Sequence, residues 1–261
     1  MKNALITGSA RRLGKSMALY LAERGYNIAV HYHGSADEAA ETVGAIQGLG
    51  RSAVALAADI TEEAQVSPLV AQSVEALGGP LTVLVNNASI FEYDNFETAT
   101  RKSWDRHIES NLRAPFVLSQ EFARQCPTAD LDEDGEPIAH GLIVNMIDQR
   151  VRKLTPEFAS YTIAKMGLWA MTQTSAQAFA PDIRVNAIGP GPTLQGARQS
   201  ETHFANQRAA TVLGRGSNPS DINAALGYFL DAPAITGQLL WMEVNTLGGA
   251  PQMCKGPSDE R

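Results

Sequence analysis

The chain has 261 residues and a formal net charge of −7, with 44% hydrophobic and 19% charged residues, enough for one large domain with a core of its own. The acidic balance, without any basic stripe, argues against a nucleic-acid surface, and no apolar run approaches the ~20 residues of a membrane span. The N-terminus enters directly into "NALITGSARRLG" without a secretory leader, and Cys126 and Cys254 lack the number and spacing of a disulfide framework or zinc site, so a soluble cytoplasmic protein is expected.

In chain order, "NALIT", "NIAVHY", "SAVALAA", "TVLVNN", "LIVNM", "IRVNAIG" and "GQLLWMEV" are short apolar runs separated by helix-like stretches. Strands alternating with helices imply right-handed βαβ units, and runs that do not alternate with polar residues imply a sheet covered on both faces. The expectation is a single doubly wound α/β domain over residues 1–250, a mostly parallel seven-stranded sheet with helices on both faces, and an irregular tail over 251–261. Two stretches read as irregular. "CPTADLDEDGEPIAHG" precedes the fifth strand, and a segment of about 190–217 follows the sixth, long enough for small helices that form a substrate lid.

After the first strand, Gly8 and Gly14 bracket a turn that opens a helix near Leu13. Glycine permits close backbone approach, and a helix N-terminus offers unpaired N–H groups to a pyrophosphate, so a dinucleotide fits there. The spacing departs from G-x-G-x-x-G, with Arg12 inside the turn, and a plain strand-to-helix turn is the competing reading. The second strand ends in "HYHGSA", with no acidic residue for a ribose 2′-hydroxyl. Arg12, His33 and Ser35 instead suit a 2′-phosphate, which favours NADP(H) over NAD(H). Ser35 also stands where it can cap the helix from Ala36. Asp59, followed by Ile60 in "AADI", suits either an adenine amino group or a helix N-cap.

In "NMIDQRVRKLTPEFASYTIAKMG", Tyr161 and Lys165 are four apart at helical spacing, so both side chains share one face. An ammonium beside a phenol in a dry site can favour the phenolate; bringing a pKa near 10 to neutrality takes about 4 kcal/mol. An acidified, proton-transferring tyrosine is therefore the expectation.

Taken in order, the "TGSARRLG" turn, "NNAS" at Asn86 to Ser89, Asn111 and Tyr161-x-x-x-Lys165 resemble the short-chain dehydrogenase/reductase family from about residue 3 to 245. The resemblance implies a Rossmann fold. It also implies Tyr161 as proton donor or acceptor, Lys165 on the nicotinamide ribose, and Asn111 anchoring a proton-relay water. By the same resemblance, "NNA" with Asn87 and Ala88 lies beside the adenosine ribose, Ser89 is a further cofactor contact, and "GPGPT" at Gly189 to Thr193, with Pro190, Gly191 and Thr193, lies beside the nicotinamide. A homotetramer built on the helices bearing Asn111 and Tyr161 is implied as well.

Asp148 stands where typical members carry a serine, and an ionised carboxylate only accepts hydrogen bonds, which suits a substrate with N–H groups. With "TGSARRLG", "HYHGSA" and "NNASIF", the Asp148, Tyr161 and Lys165 set resembles the pteridine reductase branch. That resemblance implies NADPH-dependent reduction of a planar pterin, with Arg12, Ser89, Phe91, Asp148 and Tyr161 contacting substrate. The plainer readings are a carboxylate paired with Lys165 or Arg150 for structure, and for Phe91 an apolar contact under a loop. Two features depart from the branch: Gly34 replaces a phosphate-contacting arginine, and "LLWMEVNTLGG" replaces a V-D-G-G ending. A one-base frame change of a stretch encoding V-D-G-G would give Trp241 to Leu247 as they stand. Rival functions are a family enzyme acting on a 3-oxoacyl thioester or a secondary alcohol, and a non-catalytic NADP-binding regulator.

Overall fold

The computed structural model describes residues 2–196 and 199–242. Seven strands form one parallel sheet in the order β3-β2-β1-β4-β7-β8-β9. They are β1 (Asn3–Ile6), β2 (Asn27–Tyr32), β3 (Ala53–Ala57), β4 (Val83–Asn86), β7 (Gly141–Met146), β8 (Ile183–Gly189) and β9 (Leu239–Trp241). These are the seven apolar runs read from the sequence. Every residue of β1, β4 and β7 is buried, as strands sandwiched between helices must be.

Alternate residues of each strand serve the two sides. Ala4, Ile6, Val83, Val85, Leu142 and Val144 meet Met17 and Leu21 of α1 (Arg12–Glu23), Ile46 of α2 (Ala36–Gly48), and Ile222 and Phe229 of α9 (Pro219–Asp231). Leu5, Leu84, Ile143 and Val185 meet Leu69 and Leu77 of α4 (Leu69–Leu77) and Leu118 and Phe122 of α6 (Ala114–Gln125). The period-two geometry of a strand builds both cores from one sequence. Strand order reverses between β1 and β4, so the crevice at their carboxyl ends is the place where such sheets bind ligands.

The remaining elements refine the expected plan. A short helix α3 (Glu63–Val66) precedes α4, and α5 (Arg101–Ile108) runs through a π-helical turn, Glu109–Arg113, into α6. The stretch expected to be irregular before the fifth core strand holds a two-stranded hairpin, β5 (Asp130–Leu131) with β6 (Pro137–Ile138). Asp132 Oδ1 closes its turn by accepting from the N–H groups of Asp134 and Glu136, a local side-chain pairing that favours turns over longer structure. The segment after β8 carries α8 (Glu201–Ala209), as its length suggested. Among the described residues, no helix is long and apolar enough to cross a membrane, and no cluster of three or more His, Cys, Asp or Glu is placed to hold a metal. The tail expected over 251–261 and the frame-change reading beyond Met242 lie outside the described residues.

Candidate active site

The crevice is a cleft of about 470 Å³ at the carboxyl ends of the central strands. Gly8, Arg12, Leu13, Gly14, His33, Ser35, Asp59, Ile60, Asn87, Ala88, Ser89, Pro190, Gly191 and Thr193 all line it. Of the residues expected to hold a cofactor, Tyr161 and Lys165 are not on its lining, and they lie buried in α7 (Ala159–Ala178). The segment after β8 contributes Gln199, Phe204 and Gln207. Phe204 and Gln207 share α8 at helical spacing, but which face of that helix meets the cleft depends on the path of the chain after β8.

The cleft floor is made by the turn from β1 to α1. A Cβ on Gly14 would lie 2.2 Å from the Gly8 carbonyl oxygen, so only glycine lets the helix start this close to the strand end. No side chain caps α1, which leaves first-turn N–H groups of Arg12, Leu13 and Gly14 without intrahelical partners beside the cleft. Thr7 ties this turn to the next: its hydroxyl accepts from the N–H groups of Asn87 and Ala88, each at 2.9 Å, while Asn87 Nδ2 donates to the Thr7 carbonyl at 2.8 Å. Arg12 holds a left-handed backbone, φ 57°, and its guanidinium donates across the cleft to the Leu194 carbonyl at 3.3 Å.

At the tips of β2 and β3 the sequence reading needs two corrections. Ser35 is the residue before α2 but makes no side-chain cap, which leaves its hydroxyl on the cleft wall. Asp59 caps no helix either: its Oδ1 accepts from the Thr61 N–H at 2.9 Å and hydroxyl at 2.8 Å, with His33 Nδ1 3.8 Å away. Gly34 has φ 71°, so the arginine expected there by resemblance would be held in a strained left-handed backbone.

His31, which the sequence reading passed over, anchors this end. Its Nδ1 accepts the Gly8 N–H at 2.9 Å, and Nε2 lies 3.1 Å from the Ala58 carbonyl. Because a backbone N–H can only donate, Nδ1 is unprotonated and Nε2 carries the proton. Burial pushes its pKa down to about 4. The available signal was a polar residue inside the apolar run "NIAVHY", which must find partners once buried.

The second half of the site lies on α7. Tyr161 and Lys165 are 4% and 3% exposed, and with Ala164, Leu168 and Thr172 they form the inward face at helical spacing. Tyr161 Oη donates to Asp148 Oδ2 at 3.0 Å, while Asp148 Oδ1 accepts from the Arg150 N–H at 2.8 Å. Lys165 Nζ donates to the Met146 carbonyl at 2.9 Å and lies 5.7 Å from the Tyr161 ring centre. Asp148 is thus ion-paired with neither Lys165 nor Arg150, contrary to its plainer sequence reading.

The expected acidified phenol is also corrected. Burial, then the charge of Asp148 and its hydrogen bond, push the Tyr161 pKa well above its ordinary value, against smaller opposing effects of Ser89 and Arg150. Burial in turn lowers the Lys165 ammonium to about 8, with Asp148 opposing. The lysine bonds a carbonyl instead of the phenol oxygen, and a nearby carboxylate outweighs it. The result is a phenol that keeps its proton, the protonation state of a general acid.

Asn111 lies inside the π-helical turn, where one extra residue releases a carbonyl from the regular ladder. Its Nδ2 reaches the His107 carbonyl at 3.1 Å and the Ile90 carbonyl at 3.0 Å, and its Oδ1 accepts from Ser89 Oγ at 2.6 Å. A buried chain backs this up: the Glu92 N–H donates to His107 Nε2, His107 Nδ1 donates to Ser160 Oγ, and Ser160 Oγ donates to Asp94. It ties the loop after β4 to the residue next to Tyr161. None of these partners shares a sequence period, so spacing could not reveal them.

Phe91 stacks on Phe158, with ring centres 4.3 Å apart and planes within 8°, and meets the Tyr161 ring edge-on at 4.7 Å. It remains 51% exposed, so part of the ring is open to a further contact. Phe158 enters α7 with φ 55°, a left-handed backbone that costs a non-glycine residue about 1 kcal/mol or more. Cys126, half-buried, has its thiol pushed up to about 11 by burial, an inert sulfur; Cys254 lies outside the described residues.

A parallel doubly wound sheet with a ligand cleft at its switch point, and a buried Tyr-Lys pair beside it, defines a dinucleotide-type α/β oxidoreductase fold. The chain belongs to the short-chain dehydrogenase family, whose model matches residues 2–206. It is 34% identical to the 3-oxoacyl-acyl-carrier-protein reductase FabG of Staphylococcus epidermidis over 191 residues, covering 73% of this chain and 74% of that protein. Among solved structures it resembles FolM alternative dihydrofolate reductase 1 from Brucella suis in complex with NADP, with TM-score 0.84 and 39% identity over 92% of each chain. It also resembles the angucycline C-6 ketoreductase LanV with bound NADP, with TM-score 0.82 and 27% identity over 92% of this chain and 93% of that one.

Proposed function

We propose that the protein is an NADPH-dependent reductase of a pterin C=N bond. The observation that carries this reading is the Asp148–Tyr161 hydrogen bond, a carboxylate holding the phenol proton where typical family members have a serine. When bound, NADPH supplies the hydride that the ring carbon of the C=N bond accepts. Tyr161 gives its proton to the ring nitrogen, which balances the reduction. Asp148, with two bonds already made, keeps lone pairs for N–H groups of the heterocycle. Phe91 offers a planar ring surface worth about 1 kcal/mol beyond burial. Lys165 and Asn111 hold the proton path, and Ser89 links it to the cleft.

The cleft suits the cofactor: the uncapped first turn of α1 would meet the pyrophosphate, and Arg12, His33 and Ser35, which line the same cleft, would hold a 2′-phosphate. The NADP in the FolM and LanV structures supports the same choice. A homotetramer in the cytoplasm is the expectation that family resemblance adds.

The similarity to FabG favours a second reading, reduction of a 3-oxoacyl thioester on the same Tyr161–Lys165 pair. A pure regulator is disfavoured by the complete buried set of Asp148, Tyr161 and Lys165. Steady-state oxidation of NADPH with dihydropterins, 3-oxoacyl thioesters and simple ketones separates the three. Turnover confined to dihydropterins is expected, and turnover confined to the thioesters overturns the pterin reading. NADPH binding without oxidation by any of them identifies the regulator.

A further inference from the structure

Arg150 is a cation at the edge of this site with a preformed seat. Its guanidinium carbon lies 4.3 Å from the ring centre of Phe158 and 5.9 Å from that of Phe91. One nitrogen, Nη1, donates to Thr155 Oγ1 at 3.0 Å and to the Glu157 carbonyl at 3.4 Å. Among the described residues no carboxylate pairs with it, although Asp148 accepts its backbone N–H. Nη2 and Nε therefore remain available for hydrogen bonding, on a planar group already oriented by two aromatic rings. Arginine presents such a fork to carboxylates, and a seat that fixes its plane reduces the ordering needed on binding. The residue also belongs to a segment with three cations, Arg150, Arg152 and Lys153, in a chain whose net charge is −7.

We propose that Arg150 forms an anion subsite for the side arm of the substrate, so that the preferred pterin is a folate-type conjugate ending in carboxylates. This inference rests on the pterin reading above and adds the chemistry of the substituent. A ring lying against Phe91 has this cation within reach of an arm several atoms long, and the arm exchanges water for a charge-assisted pair at the guanidinium. An arm with hydroxyl groups alone gains no such pair. The subsite thus discriminates between two substrates with the same reacting bond.

The test compares 7,8-dihydrofolate with 7,8-dihydrobiopterin, each with NADPH, in the wild-type protein and in Arg150→Met and Arg150→Lys. Methionine keeps an apolar stem over Phe158, and lysine keeps the charge. The wild-type protein is expected to show the lower KM for dihydrofolate, and Arg150→Met to raise the KM ratio of dihydrofolate to dihydrobiopterin about tenfold, the effect of one charge-assisted hydrogen bond. Arg150→Lys is expected to restore part of the ratio. A wild-type KM for dihydrofolate no lower than that for dihydrobiopterin overturns the subsite, whether or not the variants fold. So does a ratio that Arg150→Met leaves unchanged, including an equal rise for both substrates, which marks a structural role. A wild-type protein that oxidises NADPH with neither pterin removes the pterin reading and the subsite together, whereas turnover of both with an unaltered ratio removes the subsite alone.

Discussion

Tyr161 donates its phenolic hydrogen to Asp148, oxygen to oxygen at 3.0 Å, in a pocket that leaves the tyrosine 4% exposed. The pair joins helix α7 to the end of β7. A carboxylate stabilises the neutral phenol and repels the phenolate, so the group enters the reaction carrying its proton. That arrangement fits the proposed reduction, in which the substrate receives a proton as it accepts hydride.

Replacing this hydroxyl tests the role directly. Tyr161→Phe is expected to lower turnover by ~100-fold or more while leaving NADPH affinity within a few-fold. Fluorescence titration with NADPH and steady-state rates on the dihydropterin read the two effects separately. Turnover close to wild type in this variant would remove Tyr161 as the acid.

Lys165 gives a pH dependence. Burial lowers its pKa from 10.5 to about 8, so its positive charge is lost as pH rises through about 8. If that charge supports the reaction, kcat/KM falls above about pH 8. Stability runs the opposite way, because between 8 and 10.5 the unfolded chain binds a proton that the folded one does not, and stability gains with pH across that window. Below it the buried ammonium opposes folding by up to about 3 kcal/mol. Lys165→Met is therefore expected to melt at a higher temperature at neutral pH while losing activity. A lower melting temperature in an otherwise folded variant would contradict the burial argument.

His31 governs the acid side. It is neutral in the folded protein down to about pH 4, whereas in the unfolded chain it takes up a proton below about 6.5. Unfolding thus binds a proton in this window, and stability falls as pH drops from 6.5 toward 4, by about 3 kcal/mol in all. The protonated ring would also set an Nδ1–H against the Gly8 N–H, which loosens the β1–α1 turn. Urea midpoints measured across that range should fall with pH in the wild-type protein and less steeply in His31→Gln. Parallel curves would place the acid sensitivity elsewhere.

The seven core strands and the helices between them were legible because each rests on a local pattern: unbroken apolar runs for strands covered on both faces, and glycine at the sharp turn. The same holds for residues whose function depends on spacing, since Tyr161 and Lys165 share a helical face by geometry alone. The residues of the nucleotide turn were legible for a similar reason, as Gly8 and Gly14 stand where a strand must pass closely into a helix. The exceptions depended on neighbours distant in the chain. Asp130–Leu131 and Pro137–Ile138 pair too briefly to show a period, and the lining role of Gln199, Phe204 and Gln207 depends on how the segment after β8 folds back on the cleft.

By itself, the amino-acid order determined the strands of a doubly wound sheet, the helices between them, and which side chains could share a helical face. Only the tertiary structure decided what those side chains do to one another. It placed Asp148 on the phenol and Lys165 on a backbone carbonyl, closed His31 between two strand ends, and stacked Arg150 on Phe158. The physical reason is that burial and charge act through space: a pKa depends on which groups meet within a few ångströms and how much water they exclude, and no repeat along the chain records either.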